Sequence, residues 1–268
     1  MGGMRATGPY ADDLDLALSI ADYADGVTMA DFGSSALRVE TKADESPVTE
    51  VDRSAEQTVR GLLGHHRPKD AIHGEEFGAD GGGPRQWVID PVDGTRNYIR
   101  GIPVWATLIA LLDEGKPVLG VASAPALGLR WFAAKGDGAW KGSRMRDAKP
   151  LHVSSLDRLE DAAMSYSSLG GWGTIGLLNP FLGLMSAVAR TRAFGDFWSY
   201  MMVAEGVIEV ATEPELQIYD MAALVPIVEE AGGRFTSLDG RDGPFGGSAV
   251  ATNGILHDEV LRRLKPPR

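Results

Sequence analysis

The stretch Trp87-Val88-Ile89-Asp90-Pro91-Val92-Asp93-Gly94-Thr95-Arg96-Asn97-Tyr98 restricts what this chain can fold into more than any other. Trp87 to Ile89 read as the end of a buried strand. Pro91 has no N–H for a ladder and a fixed φ, so it is expected to end that strand. Asp90 and Asp93 then lie on a turn that folds them toward one point, with the Val92 carbonyl between them. Two carboxylates so placed repel each other unless a cation joins them, and carboxylate with carbonyl oxygen suits a hard ion such as Mg²⁺. Gly94 and Thr95 carry little bulk. A helical turn starting there points N–H groups at an anion, so a metal site and a phosphate site would adjoin. The same residue types also build ordinary turns between strands.

Two other acidic motifs fail on spacing. An EF-hand beginning at Asp90 needs a Glu at its twelfth position, where Gly101 stands. The phosphoaspartate enzymes of haloacid dehalogenase type space their two Asp residues two apart, and Asp90 and Asp93 are three apart.

The charge balance, 26 Lys plus Arg against 37 Asp plus Glu, gives a net charge of −11 and argues against a general grip on nucleic acid or on an anionic membrane. A phosphate-bearing substrate then needs a local positive charge, which a bound metal supplies. The absence of cysteine excludes disulfides, thiolate catalysis and Cys-based zinc sites. His65, His66, His73, His152 and His257 have no metal-ligand spacing. Met1 to Tyr10 lacks an apolar core and reads as a loose tail, not a signal peptide. No apolar run approaches the roughly 18 residues of a membrane span, so a soluble cytoplasmic protein is expected.

Leu14, Ala17, Leu18, Ala21, Ala24 and Thr28 repeat at helical spacing, with Gly33 placed to end that helix. Ser34 to Pro47, which includes Lys42, reads as an exposed polar loop. Thr49 is a candidate N-cap for a second helix burying Val51, Ala55, Val59 and Leu62. Asp52 falls in its first turn, where a carboxylate suits the helix dipole whatever else it does. Trp105 to Leu112, Pro117 to Ala124 and Leu129 to Ala134 predict antiparallel sheet. The polar run Lys141 to Lys149 is the candidate boundary between an N-terminal α+β half, 1–145, and a C-terminal α/β half, 146–268. In the latter, strands are expected at Ala162 to Ser167, Arg192 to Phe194, Val207 to Ala211, Arg234 to Thr236 and Ser248 to Thr252. Helices are expected at Leu177 to Ala189, Phe197 to Glu205, Met221 to Ala231 and Ile255 to Leu264, the third kinked by Pro226.

Gly74-Glu75-Glu76, Asp90-Pro91-Val92-Asp93-Gly94-Thr95 and Tyr219-Asp220-Met221-Ala222-Ala223 with Glu230-Ala231-Gly232-Gly233 resemble the inositol monophosphatase family in order and spacing. The likeness covers nearly the whole chain. It implies a five-layer α-β-α-β-α sandwich, a homodimer, and two or three Mg²⁺ per active site. By resemblance, one ion takes Glu75, Asp90 and the Val92 carbonyl, and a second takes Asp90, Asp93 and Asp220. Glu75 also touches a third, weaker one. Thr95, relayed through Asp52, resembles the pair that orients and deprotonates the attacking water, with Glu75 and Asp52 as the bases that receive the proton. Gly94 and Thr95 would meet the phosphate, and Lys42 looks like the basic residue near it. Tyr219 and Tyr98 depart mildly from the Trp and Phe common at those places.

Gly195-Asp196-Phe197-Trp198-Ser199-Tyr200, Val203-Ala204-Glu205-Gly206 and Ala223-Leu224-Val225-Pro226-Ile227-Val228 resemble the branch of that family acting on histidinol phosphate. Hydrolysis of that amino-alcohol phosphate, a step of histidine biosynthesis, is the first expectation. A phosphatase of inositol or another small sugar phosphate shares the same metal centre. A silent binding protein of the same fold is a third reading, opposed by the presence of Glu75, Asp90, Asp93, Thr95 and Asp220 together. Glu213 matches the position that contacts the substrate alcohol. Asp196 either faces a cationic substrate or merely caps the helix expected from Phe197.

Overall fold

The computed structural model describes residues 6–35, 37–41 and 47–265. In chain order, the first part contains α1 (Ala11–Ala30), β1 (Val39–Thr41), β2 (Pro47–Thr49), α2 (Glu50–His66), β3 (Ala71–Gly74), β4 (Gly78–Asp80), β5 (Arg85–Asp93) and α3 (Thr95–Ile99). There follow β6 (Ala106–Asp113), β7 (Lys116–Ala124), β8 (Leu129–Ala134), β9 (Gly138–Lys141) and β10 (Lys149–Pro150). Then come β11 (Ala163–Ser165), α4 (Gly170–Thr174), α5 (Leu178–Ala187), β12 (Arg190–Arg192), α6 (Asp196–Ala204) and β13 (Val210–Glu213). The last elements are α7 (Ile218–Met221), α8 (Leu224–Glu230), β14 (Arg234–Thr236), β15 (Ala249–Thr252) and α9 (His257–Leu264).

An eight-stranded sheet has the order β10-β9-β8-β7-β6-β5-β3-β4, antiparallel throughout except for β3 beside β5. A five-stranded mixed sheet has the order β12-β11-β13-β15-β14. Strand alternation sorts the large sheet's side chains into two cores. Trp87, Ile89, Ile109 and Leu111 pack with Leu14, Leu18 and Val59 of α1 and α2. Val88, Leu108, Ala110 and Trp131 pack with Phe197, Met201, Leu224 and Val228 of α6 and α8. The same helices bury Ala211, Phe235 and Ala251 of the second sheet. Its other face, Met164, Val210 and Val250, meets Phe181, Leu184 and Val260 of α5 and α9. The layers therefore run α-β-α-β-α. Because both faces of each sheet are covered, the strands are apolar on both sides, as the near-continuous runs in the sequence require.

Several expectations change. Pro91 does not end its strand: β5 continues to Asp93 through a bulge, with Asp90 paired to Leu108 and Asp93 to Ala106. A proline's missing N–H is tolerated where a bulge interrupts the ladder. Within the polar segment read as a loop, Val39–Thr41 pairs antiparallel with Pro47–Thr49. Helix α2 does start at Thr49, whose hydroxyl and the Asp52 carboxylate form a reciprocal capping box. The single helix expected from Met221 to Ala231 is two, α7 and α8, separated at Ala222 and Ala223. Pro226 has no N–H to offer the Ala222 carbonyl four residues earlier, so the ladder lapses there. Helix α4, Gly-Gly-Trp-Gly-Thr, escaped prediction because its residues have little helical propensity; it accompanies the burial of Trp172, stacked on Phe181 at 4.1 Å.

His257, wholly buried, is bonded through both ring nitrogens, to Thr236 at 2.9 Å and Thr252 at 3.0 Å. Burial, aided by Arg234, pushes its pKa down to about 4. The folded protein thus holds the ring neutral while the unfolded chain protonates it near pH 6.5, so stability is lost as pH falls from there toward 4. Denaturant titration is expected to show unfolding free energy falling by about 2 kcal/mol more between pH 7 and pH 5 in the parent than in His257→Gln. Parallel pH dependence in the two proteins would refute the assignment.

Candidate active site

The bulge in β5 and the start of α3 place the acids. Asp90 is buried, and its Oδ1 accepts a hydrogen bond from the Val92 N–H at 3.0 Å. Asp93 Oδ2 accepts one from the Phe197 N–H in the first turn of α6 at 2.9 Å. Asp220, in α7, accepts from the Gln217 N–H through Oδ2 at 2.6 Å. Each carboxylate is thus anchored by a backbone donor, and the three bring one oxygen apiece to within 4.8 Å of one another.

Burial pushes the Asp90 carboxyl well above the usual range, and the nearby charges that raise it further, Glu75, Asp93 and Asp220, are all negative. Asp93 is raised likewise by burial, then by Asp196 and Asp220, against the opposing pull of the Phe197 N–H. Converging hard oxygens with mutual repulsion are the donor set that divalent Mg²⁺ relieves, so the residues present fit that ion.

Glu75 follows β3, its N–H bonded to the Ile89 carbonyl at 3.1 Å, and its carboxylate hydrogen-bonds with Asp90. The Thr95 hydroxyl lies 2.9 Å from the Val92 carbonyl and 3.3 Å from Asp52 Oδ1. One proton cannot serve both, so Thr95 chooses between the carbonyl and the carboxylate. Asp52 is buried, which raises its pKa despite the bonds from Thr49. Cap and catalytic candidate are therefore one residue: Oδ2 holds the helix start while Oδ1 meets Thr95. Gly94 precedes α3 at φ +86, and a Cβ there would fall 2.9 Å from the Val104 carbonyl and 3.2 Å from Asp196 Oδ2. Only glycine suits that position.

A cleft of about 760 Å³ opens over these groups, lined by Glu75, Gly94, Thr95 and Asp220 on one part and by Ser167, Asp196 and Glu215 on another. Asp196 is no side-chain cap. It lies inside α6 after Gly195 at φ +49, its N–H bonded to Ser167 Oγ at 3.0 Å and its Oδ2 accepting from Asn97 Nδ2 at 2.8 Å. Burial and then the Asp220 charge raise its pKa to about 6. Glu213, 7% exposed, accepts the Tyr200 hydroxyl at 3.2 Å, and burial pushes it up to about 8.

The structure brings together Glu75, Asp90, Val92, Asp93, Gly94, Thr95, Asp52 and Asp220, with Asp196 on the same cleft. Lys42 lies outside the described residues; among those that line the cleft, Arg96 is the one cation. Sequence reasoning missed Asn97, Ser167 and Glu215. Asn97 lay inside the very stretch that drew attention, and its side-chain amide was the available signal. Ser167 and Glu215 follow the ends of β11 and β13, which only the sheet order brings to the cleft.

The profile of the inositol monophosphatase family matches residues 12–266. A histidinol-phosphatase of Streptomyces coelicolor is 57% identical over 94% of this chain and 96% of its own length. One of Mycobacterium tuberculosis is 55% identical over 94% of this chain and 98% of its own. Among solved structures, an inositol monophosphatase of Zymomonas mobilis superposes with a TM-score of 0.85 at 33% identity, covering 96% of this chain and 99% of that one.

Proposed function

The chain belongs to the inositol monophosphatase family, and we propose that it is a Mg²⁺-dependent phosphatase converting L-histidinol phosphate and water to L-histidinol and phosphate. The observation that carries the substrate is the charge of the cleft: beyond the acidic cluster it presents Asp196 and Glu215, with Glu213 close enough to Asp196 to feel its charge. A substrate with an ammonium and an imidazole matches such a wall; inositol phosphate offers only neutral hydroxyls. The likeness to the Streptomyces and Mycobacterium enzymes supports the same choice.

Glu75, Asp90, Asp93, Asp220 and the Val92 carbonyl would hold two or three cations. When bound, these supply positive charge to the phosphate and the leaving alcohol, and lower the pKa of an attacking water. The remaining chemistry belongs to the chain. The Gly94 and Thr95 N–H groups, at the start of α3, bind phosphate oxygens. Thr95 orients the water, accepting its proton as it passes its own to Asp52, 3.3 Å away. A buried carboxylate with a raised pKa is a better base than an exposed one. Glu75 is the second carboxylate able to take that proton. Water attacks phosphorus in line as the bond to the alcohol breaks, and the alkoxide that leaves takes a proton from solvent water. Asp196, held by Asn97, faces the ammonium, and a cation there restores negative charge to Glu213. In this reading the half 1–145 contributes most of the cation ligands; the half 146–268 contributes Asp220 and the selecting acids. Lys42 would approach the phosphate, and the working enzyme is a cytoplasmic homodimer.

The test is kcat/KM on histidinol phosphate and on inositol 1-phosphate for the parent, Asp196→Asn and Glu213→Gln. A charge-assisted bond contributes about 1.5–3 kcal/mol, so each variant should lose about ten- to a hundredfold on the cationic substrate and little on the neutral one. Equal losses on both, or a parent preferring inositol phosphate, would leave only the phosphatase chemistry.

A further inference from the structure

We propose that Glu56, outside the acidic cluster, is a positioning residue for Glu75, holding the turn that carries it; the inference rests on Glu75 being a cation ligand. Glu56 is wholly buried on α2, one helical turn beyond Asp52. Its Oε2 accepts the Glu76 N–H at 2.7 Å, and its Oε1 accepts the Phe77 N–H at 3.2 Å and Arg60 Nε at 2.7 Å. With the Glu75 N–H on the Ile89 carbonyl, three successive backbone donors are fixed. Arg60 closes the other side: it donates to the Gly78 carbonyl, and its guanidinium lies 6.0 Å from the Phe77 ring centre.

Gly74 is shaped by the same carboxylate, because a Cβ there would fall 1.9 Å from Glu56 Oε1. The connection from β3 to β4 thus begins and ends at glycines, Gly74 and Gly78, and has little stiffness of its own. A carboxylate desolvated this completely is tolerated when ion pair and donors compensate it, and here those donors belong to the turn of Glu75. Helix α2 therefore acts as one rigid edge of the site. Asp52 fixes Thr95 from it, and Glu56 fixes Glu75 one turn further on.

The experiment measures Mn²⁺ binding by electron paramagnetic resonance, amide exchange at Glu76 and Phe77, and kcat and KM, in the parent, Glu56→Gln and Glu75→Gln. Groups that orient metal ligands typically change affinity or activity by about ten- to a hundredfold. Glu56→Gln is expected to weaken Mn²⁺ binding and lower kcat by that factor, speed exchange of both amides, and leave KM within about threefold. Unchanged Mn²⁺ affinity in a folded Glu56→Gln protein overturns the inference, whatever its melting temperature. If Glu75→Gln itself binds Mn²⁺ normally, the fault lies in the ligand assignment instead. Should Glu56→Gln not fold, Glu56→Gln with Arg60→Gln removes both buried charges and faces the same criteria. Rapid exchange of both amides in the unsubstituted protein also overturns the clamp.

Discussion

Replacing Asp93 by Asn is expected to lower kcat by about a thousandfold at saturating Mg²⁺, corresponding to about 4 kcal/mol of lost transition-state stabilisation. The fold should survive, for a reason visible at the site. The Phe197 N–H needs only an oxygen acceptor, and an amide oxygen can take the place of Asp93 Oδ2. What disappears is a negative charge facing Asp90 and Asp220. Since burial and those neighbours disfavour that charge in the folded state, its removal should leave the melting temperature of metal-free protein unchanged or higher. Steady-state kinetics and a thermal scan check both parts. Activity within tenfold of the parent would show that Asp93 does not hold the cation acting on the leaving alcohol.

Chelation is expected to abolish turnover, and Mg²⁺ to restore it, because every proposed ligand is a hard oxygen. A second signature is thermodynamic. Without cations, Glu75, Asp90, Asp93 and Asp220 repel one another in a buried site, and an ion that binds only the folded state stabilises it by mass action. At a hundredfold excess over its dissociation constant this is about 2.7 kcal/mol, so the melting temperature should climb with Mg²⁺ concentration. Full activity in metal-free buffer would refute the cation reading. A melting temperature indifferent to Mg²⁺ would show that no cation binds the folded protein preferentially and would refute the acidic cluster as its site.

The substrate assignment and the metal centre are separable. In the proposed mechanism Asp93 serves the chemistry common to all phosphate monoesters, whereas Asp196 and Glu213 would act on the alcohol end. Asp93→Asn should therefore depress every substrate alike, while Asp196→Asn should discriminate among them.

Much of this protein was legible in the chain itself, because some of its features are local. The capping of α2 by Thr49 depends on residues three apart, and the alternation of Trp87, Val88 and Ile89 follows from strand geometry alone. The family resemblance carried by Glu75, Asp90-Pro91-Val92-Asp93-Gly94-Thr95 and Asp220 was enough to mark acids that lie together, although they come from β5, α7 and the turn after β3. Other features were not local. Pro91 reads as a strand terminator until β6 is present to show the bulge, since a bulge is defined by the partner strand. In the sequence Asp196 reads either as the cap of α6 or as a group facing a cationic substrate. Yet the Phe197 N–H is taken by Asp93, 104 residues away, and Asp196 turns at positive φ to meet Asn97. Nothing in the chain near Glu56 marks it for burial, and only the packing of α2 against the turn after β3 brings it the Glu76 and Phe77 N–H groups. The sequence by itself determined the main helices, the central antiparallel strands and the family of chemistry, because hydrophobic period, caps and ligand type are written within a few residues. The tertiary structure decided the donors that lie far off in the chain, the Phe197 N–H for Asp93 and the Glu76 and Phe77 N–H groups for Glu56. Burial makes an unpaired charge costly, and where no donor lies within a few residues only packing brings one from a distant segment.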